Sequence, residues 1–354
     1  MHVQVPWVLV TGGAGFIGSA LVRALVAKGH AVVNLDALKY AANLANVAEA
    51  AQYDRYQFVE MDIRDGGALY GVLREYQPVA IFHLAAETHV DRSIDAPAEF
   101  VSTNVVGTSV LLDVATAYWE SLPREARDSF RFVHVSTDEV YGALGDEGFF
   151  KEASAYRPNS PYAASKAGAD HLVRAYNKSY GLPAIITNCG NNYGPYQFPE
   201  KLIPLMILNA LEGKRLPVYG KGDQVRDWIH VEDHVAALRQ VAERGRPGDS
   251  YLIGASGTRT NLEVVTAICG ILDRLAPEGR PYARLIQEVA DRPGHDHRYA
   301  IDPTKVTTEL GWTPVRSFEE GLEETVRWYM ANRDWVDGAA QSYSRTRLGL
   351  RVRS

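Results

Sequence analysis

Two adjacent carboxylates close a strand-like run at residues 136–142, which read STDEVYG. At their reference pKa of about 4 both would be ionised at neutral pH, so a pair with opposite proton-transfer duties needs environments that separate them. Asp138 and Glu139, with Thr137 beside them, are therefore either solvated turn residues or an acid and base at a strand end. Further on, Tyr162 and Lys166 in YAASKA lie four apart in a helical pattern. That spacing puts them about 6 Å apart along the axis and on one face. A phenol with a pKa near 10 becomes a base at neutral pH only when cations favour its phenolate. A shift of about three units corresponds to roughly 4 kcal/mol, within reach of an ammonium and a cationic nicotinamide in a partly dry cleft. An isolated pair of this kind is more often an interfacial tyrosine and a solvated lysine.

A nicotinamide requires a dinucleotide site, and residues 11–19, TGGAGFIGS, have the residues for one. Gly12, Gly15 and Gly18 lie between a strand and a helix, where they let the backbone turn, approach a pyrophosphate and pack helix on sheet. The spacing is GxxGxxG rather than GxGxxG, a weak signal alone that the strand and helix around it strengthen. Asp36 ends the second strand, placed to accept from a ribose 2'-OH and to repel a 2'-phosphate, which favours NAD over NADP; Lys39 weakens that preference. Asp62, in MDIRD, borders the adenine pocket or is a surface turn acid.

The elements that must position these groups alternate along the chain. Apolar runs at 5–12, 31–36, 56–62, 79–86, 130–136 and 183–188 read as parallel strands, and helical patterns cover 16–29, 97–120 and 162–180. The alternation predicts an α/β fold, a doubly wound parallel sheet, with a smaller mixed α/β lobe beginning near residue 191. In that lobe, helices are expected near 201–212, 262–275 and 319–332. The division is a dinucleotide-binding domain of residues 1–190 plus about 225–250, a second domain of 191–224 plus about 251–337, and a polar tail, 338–354.

The 354 residues are 46% hydrophobic and 23% charged, with net charge -6. This composition suits a soluble globular enzyme without nucleic-acid or membrane partners. No apolar run approaches the roughly 20 residues that cross a bilayer. Cys189 and Cys269 are too isolated for a disulfide or metal motif, which points to the cytoplasm. His295 and His297 lack a distant cluster to complete a metal site, so no metal is expected.

Together TGGAGFIG, STDEVYG, YAASK and NNYGPYQFPEK resemble the extended short-chain dehydrogenase/reductases and, within them, the dTDP-glucose 4,6-dehydratases, over nearly the whole chain. The paired acids are the more specific signal, because related epimerases carry a serine or threonine there without them. The resemblance implies an NAD-dependent hydro-lyase that converts dTDP-glucose to dTDP-4-keto-6-deoxy-glucose and water. Tyr162 would take the C4 hydroxyl proton while Lys166 holds the tyrosine and nicotinamide ribose. Glu139 would remove the C5 proton, Asp138 would protonate the departing C6 hydroxyl, and Thr137 would bond the C4 oxygen. Phe16, Ile17, Ile63 and Ala85 would line the cofactor site. His89 would bound the sugar, with Asp91 and Arg92 near it. Arg226 would make a bidentate phosphate contact, Asn192, Lys201 and Leu202 would meet the pyrophosphate and sugar, and Pro217, Tyr219, Asn261 and His295 would enclose the base. Thr103 and Asn104 flank a long helix near the cofactor, where a helix-capping role is the alternative. Gly190 stands where a small hydroxyl residue is expected. The family also implies a homodimer through helices 97–120 and 162–180, and a product used in deoxysugar synthesis such as that of L-rhamnose. The alternatives on this fold are a UDP-glucose 4,6-dehydratase and a UDP-sugar epimerase or decarboxylase; Asp138 and Glu139 oppose the last two.

Overall fold

Runs that are apolar on both faces bury themselves best in a sheet covered on both sides, and that is what these segments form. The computed structural model describes residues 5–291 and 294–340. The strands are β1 (Trp7–Thr11), β2 (Ala31–Asp36), β3 (Tyr56–Glu60), β4 (Ala80–His83), β5 (Arg131–Thr137), β6 (Ala184–Cys189), β7 (Asn191–Tyr193), β8 (Leu216–Tyr219), β9 (Val225–His230), β10 (Ser250–Ile253), β11 (Thr258–Thr260) and β12 (Ile286–Val289). Seven of them form one parallel sheet in the order β10-β6-β5-β4-β1-β2-β3. The order reverses direction at β1 and β4, the place where an open α/β sheet leaves a crevice beyond its strand ends. A three-stranded sheet, β11-β9-β7, and a two-stranded one, β12-β8, stand beside it.

One face of the large sheet packs Leu21, Leu25, Leu238 and Val241 from the helices Phe16–Ala27 and Val231–Arg244. The other packs Leu69, Leu73, Leu111, Leu112 and Tyr118. A separate apolar cluster around Ile207, Ile268, Val326 and Tyr329 supports the small sheets.

The six expected strands all fall on observed ones, but the division between lobes differs. β10, expected in the second lobe, pairs with β6 and completes the large sheet, whereas β9, expected with the first, pairs with β7 and β11. Segments this short carry no periodicity that assigns them to one sheet or another. Of the expected tail, residues 338–340 belong to the helix Arg333–Ala340 and the remainder lies outside the described residues.

Residues 97–121 form one unbroken helical stretch of 25 residues, long and apolar enough by composition to cross a bilayer, with a mean hydropathy of 1.3 over an 18-residue window. This corrects the expectation that nothing approaches such a length. Its apolar side is spent on the core, through Phe100, Leu111, Leu112 and Ala115. The segment Val101–Gly107 is wound as π-helix, a rare widening that often marks functional sites. Asn104 sits inside this segment and caps nothing. Its side chain accepts from Glu87 N at 2.8 Å and donates to Glu87 O at 3.0 Å and to Ser165 Oγ at 2.9 Å. It thereby ties the loop after β4 to the helix Pro161–Tyr180. Asn104→Ala leaves buried partners unsatisfied, and a loss of about 2–3 kcal/mol in denaturant unfolding is expected. An unchanged midpoint would show that the amide does not hold this junction.

Candidate active site

β1 ends at Thr11, and the chain must then reverse into the helix Phe16–Ala27 within a few residues. Gly12 makes that turn at a φ of 73°. A Cβ there would lie 2.6 Å from Ala85 N, and one on Gly18 would lie 2.1 Å from Gly12 O. Only glycine lets loop, helix and β4 approach this closely. The helix has no side-chain cap at Gly15, so its first amides are left for another acceptor, as a pyrophosphate requires. Asp36 braces the loop. Its Oδ2 accepts from Ala14 N at 3.0 Å and its Oδ1 from Leu38 N at 2.9 Å. Burial raises its pKa and these amides oppose the rise. Each oxygen retains a lone pair for a ribose hydroxyl. Asp62 is held below the usual carboxylate range by its hydrogen bonds to Arg64.

These residues open onto a cavity of about 330 Å³. Its cofactor-side wall includes Gly12, Gly15, Phe16, Ile17, Gly18, Asp36, Asp62, Ile63, Ala85 and Thr103. The opposite wall includes Thr137, Asp138, Glu139, Tyr162, Lys166, Asn192 and Lys201. The dinucleotide cradle and the paired acids therefore face one space.

The centre of that wall is the end of β5. Thr137 Oγ1 accepts from Glu139 N at 3.2 Å and donates to Asp138 Oδ1 at 3.3 Å. Asp138 is 1% exposed. Burial drives its pKa well above the usual range, the charges of Glu139 and Asp227 add to the rise, and Arg226 opposes it. Glu139 is half-buried. Two neighbouring acids thus occupy different environments, one able to hold a proton.

Tyr162 lies in the first turn of the helix Pro161–Tyr180, whose start is capped by Ser160 accepting from Ala163 N. Here the structure departs from expectation. Burial and then the Glu139 charge push the Tyr162 pKa well above 10, while a hydrogen bond with Thr137 pulls the other way. The Lys166 ammonium donates to Val135 O at 2.9 Å, because β5 offers it a carbonyl within the sheet. Burial lowers the Lys166 pKa and Asp170 raises it. Sequence reasoning did not single out Asp170. Wholly buried, it lies 3.2 Å from His134 Nε2 and accepts from Tyr156 OH at 2.8 Å and Asn188 Nδ2 at 3.1 Å. Burial favours its neutral form, but His134, Lys166 and Tyr156 outweigh this and hold its pKa down. Its place one helical turn beyond Lys166 was the available signal.

The expected substrate residues divide into two groups. Asn192 and Lys201 reach the cavity, the first oriented by His234 Nδ1 at 2.8 Å and the second donating to Thr88 O at 3.3 Å. His89 lies 3.5 Å from the carboxylate of Glu200, another residue not singled out, which also accepts from Tyr40 OH at 3.0 Å. Arg92 stacks 3.6 Å over the Tyr40 ring.

The second group lies beyond the cavity lining, in and around the smaller sheets. Tyr219 OH approaches Asp91 at 3.5 Å, and its ring meets His295 edge-on at 6.0 Å. His295 Nδ1 is 2.7 Å from Asp291, and Asn261 donates to Gln224 at 3.4 Å. Pro217 is in β8 and Leu202 begins the helix Leu202–Leu211. Arg226 differs most from expectation. It is buried, donates to the carbonyls of Val225, Asp296 and His297, and stacks 4.3 Å from the Tyr299 ring centre. Its charge opposes the rise in the Asp138 pKa. Among the described residues no cluster of His, Cys, Asp and Glu is placed to hold a metal.

The model of the GDP-mannose 4,6 dehydratase family matches residues 9–325. The dTDP-glucose 4,6-dehydratase of Salmonella typhimurium is 54% identical over 350 residues, covering 95% of this chain and 97% of that one. The Streptomyces venezuelae enzyme of the same name, solved with NAD and dTDP bound, superposes with a TM-score of 0.86 at 48% identity, covering 94% of this chain and 99% of that one. That of Bacillus anthracis, solved in complex with NAD, gives a TM-score of 0.85 at 45% identity over 95% of this chain and 100% of that one. With its paired acids, its tyrosine and lysine on one helix turn and its glycine cradle on a single cavity, the chain belongs to the dTDP-glucose 4,6-dehydratases, within the extended short-chain dehydrogenase/reductases.

Proposed function

We propose that this protein is an NAD-dependent dTDP-glucose 4,6-dehydratase, and that the observation carrying the reading is the buried Asp138, whose pKa burial raises, beside Glu139 on the cavity wall shared with Tyr162. NAD bound in the glycine cradle supplies the store for the C4 hydrogen, which it returns to C6. Gly12, Gly15 and Gly18 admit the pyrophosphate, Asp36 holds the adenosine ribose, and Asp62, Ile63 and Ala85 border the cofactor. Tyr162 accepts the C4 hydroxyl proton. Because burial and the Glu139 charge oppose the phenolate, a bound cationic nicotinamide would supply stabilisation that this chain's own groups do not, with Lys166 held at the Val135 carbonyl.

Oxidation at C4 makes the C5 proton acidic. Glu139 takes that proton, the C6–O bond breaks, and Asp138 gives its proton to the leaving hydroxyl, which departs as water. Thr137 bonds the C4 oxygen, and its hydroxyl links the Asp138 carboxyl to the Glu139 backbone amide. Asn192 and Lys201 meet the diphosphate and sugar. Tyr219, Asn261, Pro217 and His295 form the wall that receives the base. His89 bounds the hexose, and Leu202 completes the turn after Lys201. The reading includes a homodimer through the helices of residues 97–121 and 161–180, where Val101 and Val106 are 50% and 49% exposed, and a cytoplasmic setting in which the buried Cys189 and Cys269 stay as thiols.

With dTDP-glucose carrying deuterium at C4, the label is expected at C6 of the same molecule; its loss to solvent, or its recovery at C4 with inverted configuration, defeats the reading. Glu139→Gln is expected to retain C4 oxidation but lose roughly 10²-fold or more in turnover, so that reduced-cofactor absorbance persists after mixing. Full turnover by that variant removes Glu139 from the base role.

A further inference from the structure

Gly190 follows β6 just where β5 ends, since Thr137 pairs with Cys189 across the two strands. A Cβ at Gly190 would lie 2.7 Å from the Asp227 carbonyl oxygen and 3.4 Å from Asp227 Cβ. On the other side, a Cβ at Gly254 would lie 2.4 Å from Asp227 Oδ2. Asp227, in β9, is thus seated between two glycines and is 1% exposed. Its Oδ1 accepts from Gly257 N at 3.3 Å, and the amides of Ala255 and Ser256 also face the carboxylate. Oδ2 has no hydrogen-bond partner, and neither does Oδ2 of Asp138. Asp138 follows Thr137, the partner of Cys189, so two buried carboxyls, each with an oxygen lacking a hydrogen-bond partner, flank the junction at Gly190.

We propose that Asp227 is a positioning residue for the elimination step: seated by Gly190 and Gly254, its carboxylate keeps the proton on Asp138 until the C6 hydroxyl takes it. The proposal rests on the assignment of Asp138 as the acid. A negative charge near a buried carboxyl favours that carboxyl's protonated form, and the Asp227 charge acts on Asp138 in this sense. Burial pushes the Asp227 pKa up to about 6 against the amides of residues 255–257, so near neutral pH the charge resides on Asp227 and the proton on Asp138. The other groups facing Asp138 are Glu139, which adds to the effect, Arg226, which opposes it, and Tyr162 and Cys189, which feel its charge. Gly190 fits this packing, since a Cβ 2.7 Å from the Asp227 carbonyl oxygen would require a shift at the junction.

The test follows reduced-cofactor decay in single turnovers of dTDP-glucose as pH rises. Loss of protonated Asp138 sets the basic limb, and in Asp227→Asn that limb is expected to move to lower pH by on the order of one unit. If Asp227→Asn does not fold, Gly190→Ala applies the same displacement by steric means and the same direction is expected. Asp138→Asn separates the two levels of the argument. If it leaves elimination intact, the acid assignment fails. If it stalls elimination while a folded Asp227→Asn keeps the wild-type limb, the present proposal alone is overturned. A second readout is the thermal midpoint of the substrate-free protein between about pH 4 and 8. A raised folded-state pKa stabilises below the unfolded value and loses that contribution as pH passes the folded one, so Asp227→Asn should gain on wild type through about pH 6. A constant difference across that range overturns the proposal.

Discussion

The burial of one carboxyl beside another is the constraint on which this structure turns. An isolated buried carboxylate is costly, and the least costly response is to keep the proton. Asp138 is placed in that condition by ordinary architecture. β5 runs through the middle of a fully covered sheet, so the residue just past its end is still inside the protein, while Glu139 one position later reaches the half-buried cavity wall. A carboxyl that favours its proton and one that faces the cavity are thus separated by a single step along the chain.

The same logic explains why the surrounding side chains are tied to backbone more than to one another. Lys166 holds the Val135 carbonyl, Arg226 holds three carbonyls beside its own strand, and Asn104 spans both backbone groups of Glu87. Each long or polar side chain is fixed before a ligand arrives, which reduces the ordering that binding must supply. Asp170 completes the arrangement beneath Lys166, holding a negative charge where His134, Tyr156 and Asn188 converge.

Much of this was legible in the sequence, for definite reasons. The strands of the large sheet are apolar on both faces, so their runs stand out, and the glycine loop and the Tyr162–Lys166 spacing carry information within a few residues. What was not legible depends on contacts distant in the chain. β10 looks like any four residues until it pairs with β6, and β9 cannot be separated from the first lobe without its partner β7. The rise in the Tyr162 pKa comes from burial and the Glu139 charge, neither of which the spacing to Lys166 reveals. The contacts of Arg226 with the carbonyls of residues 296 and 297, about seventy positions later, likewise lie beyond what its sequence neighbours show. Glu200 and Asp227 were missed because an acid in a loop or strand acquires meaning only when burial is known.

The hydrogen bond between Tyr40 and Glu200 crosses from the turn after β2 to the segment before the helix Leu202–Leu211, with His89 and Arg92 gathered on the same group. That edge of the cavity is therefore closed by a hydrogen bond between residues 160 positions apart, which must open before the turn after β2 and the segment leading into the helix can part.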